Sequence, residues 1–72
     1  MTDRAYTVAE IDALRRAIFK RHDFWWARGG GTREFYNENA AVIAANKATV
    51  EDELRTYMLA GVTAEDVEAV PL

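Results

Sequence analysis

The chain has 72 residues, half of them hydrophobic, with no cysteine, one histidine and a formal net charge of −3. That length makes one small domain with a core that is marginal by size alone. The composition excludes disulfides, thiolate metal sites and intrinsic disorder. Met1–Glu10 lacks the apolar run of a signal peptide, and no stretch is apolar for long enough to cross a bilayer. The expected setting is a cytoplasm, or an assembly packed there.

Tyr6-Thr7-Val8-Ala9-Glu10-Ile11 carries the clearest local signal. Thr7 and Glu10 have capping-box spacing, and Tyr6 and Ile11 have that of a hydrophobic staple. Ile11, Leu14 and Ile18 then form an apolar stripe with Phe19 at its edge. Arg15, Arg16, Lys20 and Arg21 fall in the later turns, where cations complement the helix dipole. The pattern predicts a first helix over about residues 8–21, with His22 at its C-terminal end.

Residues 24–36, Phe24-Trp25-Trp26-Ala27-Arg28-Gly29-Gly30-Gly31-Thr32-Arg33-Glu34-Phe35-Tyr36, hold five of the eight aromatic residues and three of the four glycines. If the glycines centre a hairpin turn, Trp25 pairs with Phe35 and Phe24 with Tyr36. Aromatic cross-strand pairs are favourable and glycine supplies the positive φ that short hairpin loops need. Strand alternation then puts Trp25, Ala27, Arg33 and Phe35 on one face, and Phe24, Trp26, Arg28, Thr32, Glu34 and Tyr36 on the other. Two helices can cover one such face, which leaves one tryptophan uncovered and suited to an interface hot spot. A second reading keeps every ring in a small core. A third drops the hairpin: Tyr36, Ile43, Val50 and Leu54 also fit helical spacing, so that one helix runs from about Thr32 behind a glycine loop.

Asn37 and Asn39 are placed to cap a second helix over about 40–60, which alanines at 40, 41, 44, 45 and 48 favour. Ile43, Val50, Leu54 and Met58 form its apolar stripe, with Val42 and Tyr57 beside them. Thr49 with Asp52 allows a break near Asn46–Thr49. Gly61 suits the left-handed stop after Ala60, with Val62 folding back towards Tyr57. Thr63 and Asp66 repeat the capping box for a short turn over 64–69, ended by Pro71. The expected architecture is mainly α (α+β), a single domain over 1–72: helix, short aromatic hairpin or glycine loop, long helix and terminal helical turn.

Charge divides unevenly along the chain. Residues 1–33 carry a net +3 and residues 34–72 a net −6, an asymmetry able to steer assembly. Enzyme patterns are missing from the sequence: it has no Gly-x-Ser-x-Gly or phosphate loop, and His22 beside Asp23 has no nucleophile near it in sequence. Glu51-Asp52-Glu53 and Glu65-Asp66-Glu68 lack the ligand order and glycine of a calcium loop and read as solvated faces. No cofactor and no metal site is expected. Arg15, Arg16, Lys20, Arg21, Arg28 and Arg33, interleaved with Phe19, Trp25 and Trp26, have some likeness to a nucleic-acid surface. The pI near 5.0 speaks against it.

At Tyr6-Thr7-Val8-Ala9-Glu10-Ile11-Asp12-Ala13-Leu14-Arg15-Arg16-Ala17-Ile18 the chain resembles small proteins of tailed bacteriophages, in particular the start of the head–tail joining protein W family. The resemblance covers about the first fifth of the chain. It implies a first helix, a two-stranded hairpin and a second helix antiparallel to the first. It also implies assembly in a ring beneath the portal that closes the filled head. This chain departs from the family in its more aromatic middle segment and longer second helix. That helix ends in Leu54-Arg55-Thr56-Tyr57-Met58-Leu59-Ala60-Gly61, which is similar to small phage-encoded proteins of unassigned role.

The function expected on this basis is a non-enzymatic phage structural or assembly protein of the head–tail connector type, located in a bacterial cytoplasm or a virion. Its partners would be portal or connector proteins, with homo-oligomerisation. The alternatives are an inhibitor or modulator of a host protein and a small nucleic-acid binder. The candidate partner-binding residues are Trp25, Trp26, Arg28, Arg33, Phe35 and Tyr36.

Overall fold

The computed structural model describes residues 5–69, which form four α-helices and one 3-10 turn, with no strand among them. In chain order these are α1 (Val8–His22), the 3-10 turn (Trp25–Arg28), α2 (Arg33–Glu38), α3 (Ala40–Leu59) and α4 (Ala64–Ala69). Pro71, assigned above to the end of the terminal turn, lies outside the described residues.

Three of the local signals form as predicted. The Glu10 amide donates to Thr7 Oγ1 at 3.1 Å and the Thr7 amide to Glu10 Oε1 at 3.1 Å, completing the first capping box. The same exchange joins Thr63 and Asp66 at 2.9 and 3.2 Å and starts α4. At the end of α3, Gly61 takes φ 75°. The Val62 amide reaches the Tyr57 carbonyl at 3.0 Å and the Gly61 amide that of Met58 at 3.1 Å. This is a Schellman stop, which requires a residue tolerant of positive φ.

The core is Leu14, Ala17 and Ile18 from α1, Val50 and Leu54 from α3, and Val67 from α4. α1 thus uses its predicted stripe, and α4 docks through one buried valine. Tyr6 packs on this core and its hydroxyl donates to the Val62 carbonyl at 2.8 Å, which clips the start of α1 to the α3–α4 turn. Arg21 donates to the Val67 carbonyl at 3.4 Å. The contacts Tyr6–Val62, Arg15–Glu51 and Trp26–Asn46 run in opposite chain directions, so α3 returns antiparallel along α1. None of the helices among the described residues is long and apolar enough to cross a membrane.

Oppositely charged halves of the chain meet across this packing. Arg15 grips Glu51 with two hydrogen bonds, Nε–Oε2 at 2.7 Å and Nη2–Oε1 at 3.1 Å, and His22 Nε2 lies 2.8 Å from Glu53 Oε1. The paired hydrogen bonds from Arg15 hold the Glu51 carboxyl below its ordinary value, and Glu51 raises the Arg15 guanidinium in return. A depressed carboxylate stabilises the fold above its unfolded-state pKa and loses that contribution as pH falls through the folded one. The raised arginine loses its contribution only when pH climbs past its folded value, beyond any working range. Both side chains are about two-fifths exposed, which limits the pair to roughly 0.5 kcal/mol. Glu51→Gln is therefore expected to lower the melting temperature slightly at neutral pH. In acid, below the ordinary glutamate range, the variant and the parent should melt together. A difference that persists there would assign the loss to packing rather than charge.

Four expectations are corrected. The hairpin over 24–36 does not form. Trp25–Arg28 coils as a 3-10 turn, and Thr32 caps α2 by accepting the Phe35 amide at 3.1 Å, so the segment is a glycine loop between two helical turns. Glycine supplies the loop's positive φ at Gly29 and Gly30 without strand pairing to follow. Secondly, the break near Asn46–Thr49 does not form: α3 runs on unbroken, and the Thr49 hydroxyl donates back to the Ala45 carbonyl at 3.1 Å rather than capping a new helix. The interruption falls instead at Asn39, between α2 and α3. Thirdly, Asn39 takes the N-cap position of α3 but makes no side-chain cap bond there, and Asn37 does not cap it at all. Asn37 lies within α2, and the Asn39 amide nitrogen turns back to the Phe35 carbonyl at 2.8 Å. Lastly, Ile43 is half-buried and lies outside the core cluster.

Candidate functional site: the aromatic end

The rings of residues 19–36 divide into two clusters. The inner one is Phe19, Phe24 and Trp26, with ring centroids 5.2–5.6 Å apart, and the His22 ring stacks on Phe24 at 4.9 Å. Trp26 is 7% exposed. Its Nε1–H donates to Asn46 Oδ1 at 2.8 Å, satisfying the one polar group that a buried indole carries. The outer cluster is Trp25, Phe35 and Tyr36. Trp25 meets Phe35 edge-on at 5.6 Å, and Phe35 meets Tyr36 edge-on at 5.1 Å. Trp25 is 51% exposed, while Phe35 and Tyr36 are half-buried.

Trp25 and Phe35 separate from Phe24 and Trp26 as the alternation had them, but Tyr36, expected beside Phe24, packs on Phe35 instead, because the segment is a 3-10 turn and a short helix rather than paired strands. Adjacent residues of such a turn diverge in direction, so only one of two neighbouring tryptophans can enter the core. Gly31 allows the outer rings to close over the loop. A Cβ at that position would lie 2.6 Å from Phe35 Cδ2 and 2.9 Å from Tyr36 Cζ, well inside van der Waals contact.

Between the 3-10 turn and the first half of α3 lies a broad apolar groove of about 600 Å³. Trp26, Ala27 and Gly29 line it from the turn, Tyr36 from α2, and Ala40, Ile43, Ala44 and Lys47 from α3. The α3 residues went unread as a surface in the sequence. Their signal was present in the 36-40-43-44-47 spacing, one helical stripe that continues the Tyr36–Ile43 pattern.

The candidate arginines sit at the edge of this end. Arg28 donates to Asp23 Oδ2 at 2.8 Å with both side chains largely exposed, and Arg33 is exposed at the start of α2. Of the six cations that suggested nucleic acid, Arg15, Arg21 and Arg28 hold Glu51, the Val67 carbonyl and Asp23. Among the described residues no group of three His, Asp or Glu side chains is placed to hold a metal ion. The arrangement therefore brings together Trp25, Phe35, Tyr36 and the groove as a surface, and assigns Trp26 to the core beneath it. Its chemistry is that of apolar contact with an edge of mixed charge, where Arg28, Arg33 and Lys47 stand among Asp23, Glu34 and Glu38.

Fold and site together define a small, mainly α protein with an exposed aromatic end. Compared with known family models, with curated proteins and with solved structures, the chain matches none.

Proposed function

We propose that this chain is a non-enzymatic docking protein that works through its aromatic end. The observation that carries this reading is Trp25, a large ring half in solvent, held by an edge contact with Phe35, which in turn meets Tyr36 on the wall of an apolar groove. An ordered, exposed tryptophan loses little conformational freedom on binding and gains the free energy of desolvating a large ring. Arg33, Glu34 and Glu38 are exposed on α2 beside this end, so charges of both signs are there to orient a partner while the rings supply the contact.

Among docking roles, we assign it to a head–tail connector of a tailed phage, acting in the bacterial cytoplasm or the virion. The support is the likeness of residues 6–18 to the joining family; the two-stranded hairpin of that family has no counterpart here. The test is an affinity capture of the tagged protein from its induced or infected host, read by mass spectrometry. Portal, head or tail proteins are the expected catch, and Trp25→Ala should reduce their recovery about tenfold or more, the range of an interface hot spot. Recovery of one host enzyme or regulator would replace the connector role with inhibition. Recovery that Trp25→Ala leaves unchanged would remove the aromatic end as the docking surface.

A further inference from the structure

We propose that the outer face of α3 packs against the same face of a second copy of this chain, the two helices antiparallel about a twofold axis between residues 46 and 47. The first observation is a mismatch between composition and burial. From Ala40 to Val50 the sequence is apolar or small on every side of the helix, with Lys47 its single charge. A helix of that kind is ordinarily covered all round. Here only Val50 is buried and Ile43 and Asn46 are half-buried, while Ala41, Val42, Ala45, Ala48 and Thr49 are exposed, Val42 to 45%. The groove of the aromatic end occupies the neighbouring side, at Ala40, Ile43, Ala44 and Lys47.

The second observation is self-complementarity. On α3, Ala41, Ala45, Ala48, Asp52 and Arg55 recur at alternating four- and three-residue steps, Glu38 at the end of α2 stands three residues before Ala41 across the interruption at Asn39, and all six are exposed, the spacing of a helix–helix seam. A parallel pair would set Glu38 on Glu38, Asp52 on Asp52 and Arg55 on Arg55, all like charges. The antiparallel pair centred between 46 and 47 sets Ala45 against Ala48 of the second copy, where small side chains let the backbones approach. The same register brings Glu38 opposite Arg55 of the second copy at both ends. Arg55 already pairs with its own Asp52, and the guanidinium fork can hold two carboxylates. Val42 and Thr49 flank the seam and are covered with it. A single helix pair buries less than the roughly 1,200 Å² of a permanent interface, so the dimer is a concentration-dependent one.

Sedimentation equilibrium of the full chain from about 10 μM to about 1 mM tests this. The parent should shift from monomer to dimer across that range. Ala45→Glu, at an exposed helical position that tolerates glutamate, should keep its helical circular dichroism and lose at least about tenfold in dimer affinity. Glu38→Arg and Arg55→Glu should each weaken the dimer, and the two together should restore it. Trp25→Ala should leave it unchanged, because that ring lies off this face. A monomer at every concentration would give the face to a different chain and overturn the proposal. So would a dimer indifferent to Ala45→Glu, or a double charge reversal that fails to recover.

Discussion

Trp26→Ala is expected to destabilise the fold by about 3–5 kcal/mol, the range for removing a large buried aromatic side chain. Its indole is nearly enclosed, packs on Phe19 and Phe24, and closes the end of the molecule by donating to Asn46 across 20 residues of chain. Alanine there removes the ring contacts, opens a cavity beside Phe24 and leaves the Asn46 carbonyl to water. At about 4–8 °C per kcal/mol for a domain of this size, the melting temperature should fall by more than about 12 °C. Trp25→Ala is the matched control. Its ring touches Phe35 and solvent, and its removal should cost about 1 kcal/mol or less. A thermal melt followed by circular dichroism separates the two. Equal losses would mean that both rings belong to the core and that the exposed anchor does not exist.

Leu14→Ala is the second large effect. Leu14 is fully buried at the centre of the cluster that joins α1 to α3 and α4, and truncating such a leucine costs about 2–5 kcal/mol. Domains of this size hold only about 5–15 kcal/mol in total, so the variant should sit close to its unfolding midpoint at 37 °C. In urea the midpoint should drop sharply with an unchanged slope, since the surface exposed on unfolding stays the same. A shallower slope instead would show that α4, held by Val67 alone among buried residues, comes off before the rest.

Much of the fold was legible in local sequence because the deciding interactions are local. Thr7 with Glu10 and Thr63 with Asp66 satisfy amides within one turn, and Gly61 ends α3 with bonds to residues three and five positions back. Such contacts need no knowledge of the rest of the chain. The Ile11-Leu14-Ile18 stripe likewise faces inward whatever packs on it.

The aromatic segment was legible only as alternatives, a hairpin or a glycine loop with a helix from about Thr32, and the second is near what forms, with an interruption at Asn39. A threonine after three glycines suits a hairpin strand and a helix cap equally well. It caps by accepting the Phe35 amide within one turn, a bond as local as the alternative strand pairing, so local pattern offers both and does not choose. The expectation that one tryptophan would be uncovered came from the chain being too short to bury both. Its identity came from Asn46, whose side chain lies opposite position 26 only because α3 folds back along α1. α3 passes unbroken through the possible helix start at Thr49 and Asp52 because the Thr49 hydroxyl bonds back to the Ala45 carbonyl within the helix.

By itself, then, the sequence determined a mainly α fold, the ends of its first helix, the stop at Gly61 and the two capping boxes, all set by hydrogen bonds within one or two turns and by helical periodicity. Only the tertiary structure decided that the glycine segment is a loop between helical turns, that Trp26 is core while Trp25 faces solvent, and that a groove opens along α3. Those outcomes depend on which distant groups meet, and distance along the chain carries no record of that until the helices pack.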